Sequence, residues 1–207
     1  MSLAIPAMIA IVRYPVIERK FYPFVILIWV GMANELIALL MIHFFRSNAI
    51  NNNIYSLLEA FLITWQFRRW NLFRNNLKYY YLLQALFLIA WVAEDFIFLS
   101  LHVFNSYFNI IHGFVTVLLS INIINLLITG GQVKLTTNPI FLICIAFILY
   151  FTFTILIEIF WRYGFNESRD FRGNIYFILD FINLISNLIF AVALIWMPTK
   201  QKYILRS

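Results

Sequence analysis

The chain has 207 residues, 63% of them hydrophobic and 12% charged, with a mean hydropathy of +0.86. Soluble domains carry about 25% charged residues, and a globule of this size cannot hide such an apolar excess because its surface is too large relative to its volume; a soluble enzyme is excluded. The net charge of +6 does not indicate nucleic acid, since the cations sit in short gaps between apolar runs and not on one aqueous face.

A helix needs about 20 apolar residues to cross the hydrocarbon core at about 1.5 Å per residue. The first apolar segment, Met1 to Val12, falls short unless it continues past Arg13 to Ile17 with the arginine reaching out to the interface. It lacks the basic start and small-residue cleavage site of a secretory signal, and predicts a short first helix. Six full spans follow: Phe21 to Phe45, Asn51 to Phe67, Tyr79 to Leu101, Tyr107 to Ile128, Pro139 to Trp161, and Asn174 to Met197. They are closed by Arg46-Ser47-Asn48, Arg68-Arg69, the weaker boundary around Asn105-Ser106, Gly130-Gly131, Arg162 with Gly164, and Pro198 to Lys202. The single cysteine, Cys144, lies in the apolar run from Ile140 to Phe151, so there is no intrachain disulfide and no cysteine-based zinc site.

Basic residues divide between the two ends of these spans. Arg13, Arg19, Lys20, Arg68, Arg69, Arg74, Lys78, Lys134, Lys200, Lys202 and Arg206 fall on one side. Only Arg46, Arg162, Arg169 and Arg172 fall on the other. By the positive-inside rule the first set is cytoplasmic, and aromatic residues flank both ends (Trp70 and Tyr79 to Tyr81; Trp161 and Tyr163). The expected fold is all-α: a polytopic membrane helical bundle of seven helices, one transmembrane domain over residues 1–207, N-terminus out and C-terminus in. Abundant Ile, Phe, Asn and Tyr suit an AT-rich bacterial genome, hence a bacterial cytoplasmic membrane. No aqueous domain is present to deliver an output, so the expected partners are the lipid bilayer and a second copy or another membrane protein.

Ionisable groups within lipid are costly and are functional candidates by default. Glu35, Glu59, Glu94, Asp95, Glu158 and Asp180 fall within the spans, His43, His102 and His112 at or near their ends, and no Lys or Arg lies inside the six long spans. Helical spacing aligns Asn52, Tyr55, Glu59 and Gln66 on one face, Asn109, His112 and Thr116 on another, and Tyr176, Asp180, Asn183 and Asn187 on a third. The asparagines also suit plain interhelical hydrogen bonding. Glu35 with His43 and Glu94 with His102 share one spacing, each preceded by a Trp-Val pair, which predicts three parallel helical hairpins after the first helix. The expected ligand-binding set is Glu35, Tyr55, Glu59, Glu94, Asp95, His112, Asp180 and Asn183, in a pocket open to the outside.

Three functions suit such a pocket. Binding or transport of a proton, cation or amine-bearing ligand follows from acids without internal cations. A divalent metal held by His43, His102 and His112 would make an intramembrane lipid hydrolase. The topology resembles that of the alkaline ceramidases, although their paired histidine on a late helix is missing here, with no histidine after His112. A seven-helix sensor or accessory subunit is the third, but not a retinal protein, because the last span has no lysine for a Schiff base. The stretch Asn51-Asn52-Asn53-Ile54-Tyr55-Ser56-Leu57-Leu58-Glu59 resembles a family of small seven-helix bacterial membrane proteins, in which an Asn-rich outer turn leads into a helix bearing Tyr and Glu four residues apart. That resemblance implies the fold and carries no activity.

Overall fold

The computed structural model describes residues 2–74, 76–130, 134–163 and 169–199, and the side chains of all of these except 163 and 169–176. Gly131, Gly164, Lys200, Lys202 and Arg206, and the side chains of Tyr163, Arg169, Arg172 and Tyr176, lie outside the described residues. Among the described residues, seven α-helices follow in order: α1 (Ala4–Arg13), α2 (Tyr22–Phe45), α3 (Ala49–Arg69), α4 (Leu77–Val92), α5 (Ser106–Thr129), α6 (Pro139–Tyr163) and α7 (Arg169–Trp196). Among the described residues no strand forms beyond a lone antiparallel bridge between Ile17 and Thr199.

Among the described residues, five helical stretches are long and apolar enough to cross a membrane: Arg19–Phe45, Leu77–Phe98, Ser106–Thr129, Pro139–Arg162 and Phe177–Trp196. Their outer faces carry large apolar side chains such as Phe45, Ile97 and Phe98, exposed by 71%, 71% and 78%. Lipid stabilises such a surface and water does not, so the chain is a multi-pass membrane protein. The 21 residues of α3 would also reach across, at about 1.5 Å per residue. Its polar content alone sets it apart, and that content faces inward: Asn53, Ser56, Thr64 and Gln66 are all buried. Cys144 is buried as well and free.

Local chemistry fixes the helix ends. Asn138 Oδ1 accepts from the backbone N–H of Ile140 at 2.8 Å, ahead of Pro139 at the first position of α6, a cap and a proline where each is favoured. Asn76 does the same for α4 by accepting from Lys78 N at 3.1 Å. Arg46 ends α2 in the left-handed region, with φ 56°. At the start of α2 the Gln66 side chain from α3 accepts from Phe24 N at 2.8 Å and donates to Lys20 O at 2.8 Å. Gln66 thus faces α2, as Tyr55 does beside Gly31, in keeping with the shared stripe; its task there is to satisfy backbone groups at a helix terminus that would otherwise be unpaired in lipid.

The helices close a ring in which α1 touches α7 and α2, α2 touches α3, α3 touches α5, α5 touches α6, and α6 touches α7. Outside it, α4 leans on α3 and α5 and buries only Tyr80 and Phe87. Arg13 Nη2 donates to Met197 O at 3.0 Å, and Asn187 Nδ2 donates to Ser2 Oγ at 2.8 Å, so α1 runs parallel to α7. With 10 residues, about 15 Å, α1 covers only the stretch of α7 after Asn187.

Arg13, Arg19, Lys20, Arg69 and Lys134 gather at one end of the ring. Arg69 Nη2 donates to Arg19 O at 3.3 Å, Glu18 N donates to Pro198 O at 3.1 Å, and Lys134 lies with Lys20 and Pro198 around one surface depression. Next inward comes a layer of phenyl rings. Phe24 meets Phe190 at 5.1 Å between centroids and Phe147 at 6.3 Å, while Phe67 meets Phe147 at 6.3 Å.

Candidate functional site

Beyond this aromatic layer, on the side away from the basic end, the ring encloses a cavity of about 210 Å³ between α2, α3, α6 and α7, with Leu3 just ahead of α1. Its carboxylates are Glu35 on α2 and Glu59 on α3; Tyr55 and Tyr150 present phenols to it. Asn34, Asn52, Asn183 and Asn187 add amides, and Phe147, Phe151 and Phe190 make its dry wall. Among the residues lining it there is no Lys or Arg.

Gly31 makes room for this arrangement. A Cβ there would lie 3.2 Å from the Tyr55 hydroxyl and 2.8 Å from Leu3 Cδ2, so the missing side chain lets Tyr55 approach the α2 backbone. Tyr55 OH donates to Glu59 Oε1 at 3.0 Å, across the one helical turn that separates them. The other oxygen, Glu59 Oε2, sits 3.4 Å from His112 Nε2 on α5. His112 is 2% exposed, stacked on Phe108 at 5.4 Å and met edge-on by Phe151 at 5.1 Å. Neither ring nitrogen has an aligned hydrogen bond among the described residues. Glu59 therefore links the cavity wall to a buried imidazole behind it.

On the cavity wall, two further polar atoms lack a partner among the described residues. Glu35 Oε2 is buried without a hydrogen bond, and so is the hydroxyl of Ser186, a residue 1% exposed on the cavity wall. Unpaired buried polar atoms are rare because each costs about 1–3 kcal/mol. Two on one cavity suit a surface built to meet something polar.

The remaining sequence-derived candidates lie elsewhere. Glu94 and Asp95 belong to a π-helical segment, Ala93–Phe98, that continues α4, and both are consumed in holding structure. Glu94 accepts from Tyr107 N at 3.0 Å and from Phe108 N, so its carboxylate terminates the first turn of α5, where negative charge is favoured. Asp95 accepts from Asn53 Nδ2 at 2.8 Å and from Asn105 Nδ2 at 3.4 Å. Asn53 also donates to Val103 O at 2.7 Å, accepts from Asn105 N at 3.2 Å, and takes the Trp91 indole N–H on its carbonyl at 2.8 Å. These groups tie the turn between α4 and α5 to α3.

Asp180 is exposed on α7, outside the cavity that Asn183 and Asn187 line. His43 is exposed on α2 against Phe44, with ring centroids 5.0 Å apart, and His102 is exposed in the turn after the π segment. Neither joins His112, and among the described residues no group of three or more His, Cys, Asp or Glu could hold a metal ion. Glu158 is half-buried and accepts from Asn109 Nδ2 at 3.2 Å. Asn34, Tyr150 and Ser186 were not anticipated as lining residues. Asn34 adjoins Glu35 and Ser186 adjoins Asn187, which was a usable signal. Tyr150 had none, being one ring in a strongly apolar helix.

Fold and cavity together define a multi-pass helical membrane protein with a polar chamber let into its core, away from its basic end. No family model, curated protein or solved structure matches the chain.

Proposed function

We propose that this protein, in the cytoplasmic membrane of a bacterium with its basic end inside, binds a small cation or cationic ligand entering the cavity from the outer side. The observation that carries the reading is that Glu35 and Glu59 share one cavity to which no Lys or Arg contributes. Like charges so confined favour an occupant of opposite sign, and low permittivity around the cavity strengthens that preference. The aromatic layer of Phe24, Phe67, Phe147 and Phe190 favours binding over conduction, because it separates the cavity from the basic end. A metal-dependent hydrolase draws no comparable support, since its three histidines stand apart.

The test is thermal unfolding of the purified chain in detergent with added inorganic cations and organic amines. A saturable rise in Tm is expected with one of these groups, because a ligand that binds only the folded state stabilises it by mass action. Glu35→Gln and Glu59→Gln keep shape and hydrogen-bonding capacity and should abolish the rise. An undiminished rise in both variants would remove the cavity from the function.

A further inference from the structure

Granting that the cavity takes a cation, we propose that the occupant is an organic ammonium on an apolar body about the size of one ring, and not an inorganic ion. Four features of the cavity converge on this class. The first is size: about 210 Å³ exceeds the roughly 150 Å³ apolar cavity known to admit benzene, and is far more than a single ion stripped of its water would fill.

The second is the balance of the wall. Glu35 and Glu59, from α2 and α3, supply charge, while Phe147, Phe151 and Phe190, from α6 and α7, supply aromatic surface. An ammonium joined to a hydrocarbon satisfies both at once, since aromatic faces attract organic cations and bury the apolar remainder. The third is the unpartnered Ser186 hydroxyl, 1% exposed at the cavity wall. With the unpaired Glu35 Oε2 it offers a directional acceptor to an N–H group, which a spherical ion does not require. The fourth is the donor set for metals: among the described residues no group of three or more His, Cys, Asp or Glu could hold a metal ion, and the cavity offers two carboxylates, one already bonded to Tyr55, its other oxygen donors being neutral amides and hydroxyls, a low charge count for a hard divalent cation.

Isothermal titration of the full chain in detergent decides the matter with four probes: benzylamine, its neutral isostere benzyl alcohol, phenylacetate, and the chlorides of sodium, potassium, magnesium and calcium. Benzylamine is expected to bind at least tenfold more tightly than benzyl alcohol, with no heat from phenylacetate or the inorganic salts. Glu35→Gln should reduce the amine-to-alcohol ratio to within about threefold of unity. Phe190→Leu should weaken benzylamine without changing the ratio's direction. The comparison among probes uses the unaltered chain, so it stands even where a variant fails to fold. Equal binding of amine and alcohol would overturn the inference. Binding of an inorganic cation without benzylamine would overturn it too while leaving the broader cation reading intact, and silence from every probe would sink both.

Discussion

Three consecutive asparagines at the start of α3 look interchangeable in the sequence and are not. Successive residues on a helix point about 100° apart, so each reaches a different neighbour. Asn51 Nδ2 donates to Asn34 Oδ1 on α2 at 2.7 Å, Asn52 lines the cavity, and Asn53 knots α3 to Asp95 and the turn before α5. Asn53→Ala should cost on the order of 3 kcal/mol, because it takes the Asn53 side chain away from Asp95 Oδ1, Val103 O and Asn105 N in a buried site. Asn51→Ala, at a half-buried position, should cost less than about 1 kcal/mol. Unfolding in detergent compares the two, and equal losses would count against the knot. Gly31 is the other informative residue. Gly31→Ala gains about 0.8–1 kcal/mol of helix propensity yet crowds the Tyr55 hydroxyl. Its Tm should stay within a few degrees of the parent while the ligand-dependent rise in Tm shrinks; a full-sized rise would mean that the position of Tyr55 does not matter.

At the scale of the elements, hydropathy and charge marked the helices well because lipid leaves the backbone no alternative to internal pairing. The inward polar stripe of α3 was legible for the same reason, since Tyr55 and Glu59 keep strict helical phase. Glu94 and Asp95 entered the candidate set only as ionisable groups within a span, and nothing in the sequence showed that a π-helical segment would set them against the start of α5 and Asn53. Asp180 failed differently. It shares the phase of Asn187 to within about 20°, seven residues apart, but α1 stops at the level of Asn187 and leaves the face above it uncovered. Phase tells which way a side chain points and not what stands opposite. If Glu94 is a structural acceptor, Glu94→Gln should lower stability by about 1–2 kcal/mol through the weakened α5 terminus, with ligand titration unchanged. A selective loss of binding would return Glu94 to the site.

For the molecule as a whole, the grouping of Arg13, Arg19, Lys20, Arg69 and Lys134 at one end makes orientation testable. Single cysteines at Ser47 or His102 in cells should react with an impermeant maleimide from outside, and those at Asn71 or Lys134 only after the membrane is opened. Native Cys144, 0% exposed, should stay silent throughout. The reverse pattern would turn the cavity toward the cytoplasm and with it the source of any ligand.

The phenyl layer under the cavity also shapes how the protein would meet an energised membrane. Phe24, Phe67, Phe147 and Phe190 form a dry plate of low permittivity, and in a membrane holding a voltage the electric field concentrates across such a plate. A charge moved through the full field is worth about 2.3 kcal/mol per 100 mV. A ligand that enters from the far side and stops above the plate crosses little of that drop. Occupancy in proteoliposomes should then track the outside concentration and stay flat when a potassium diffusion potential is imposed. The chamber would act as an electrically shielded well, reading what is dissolved outside without reading the cell's charge state.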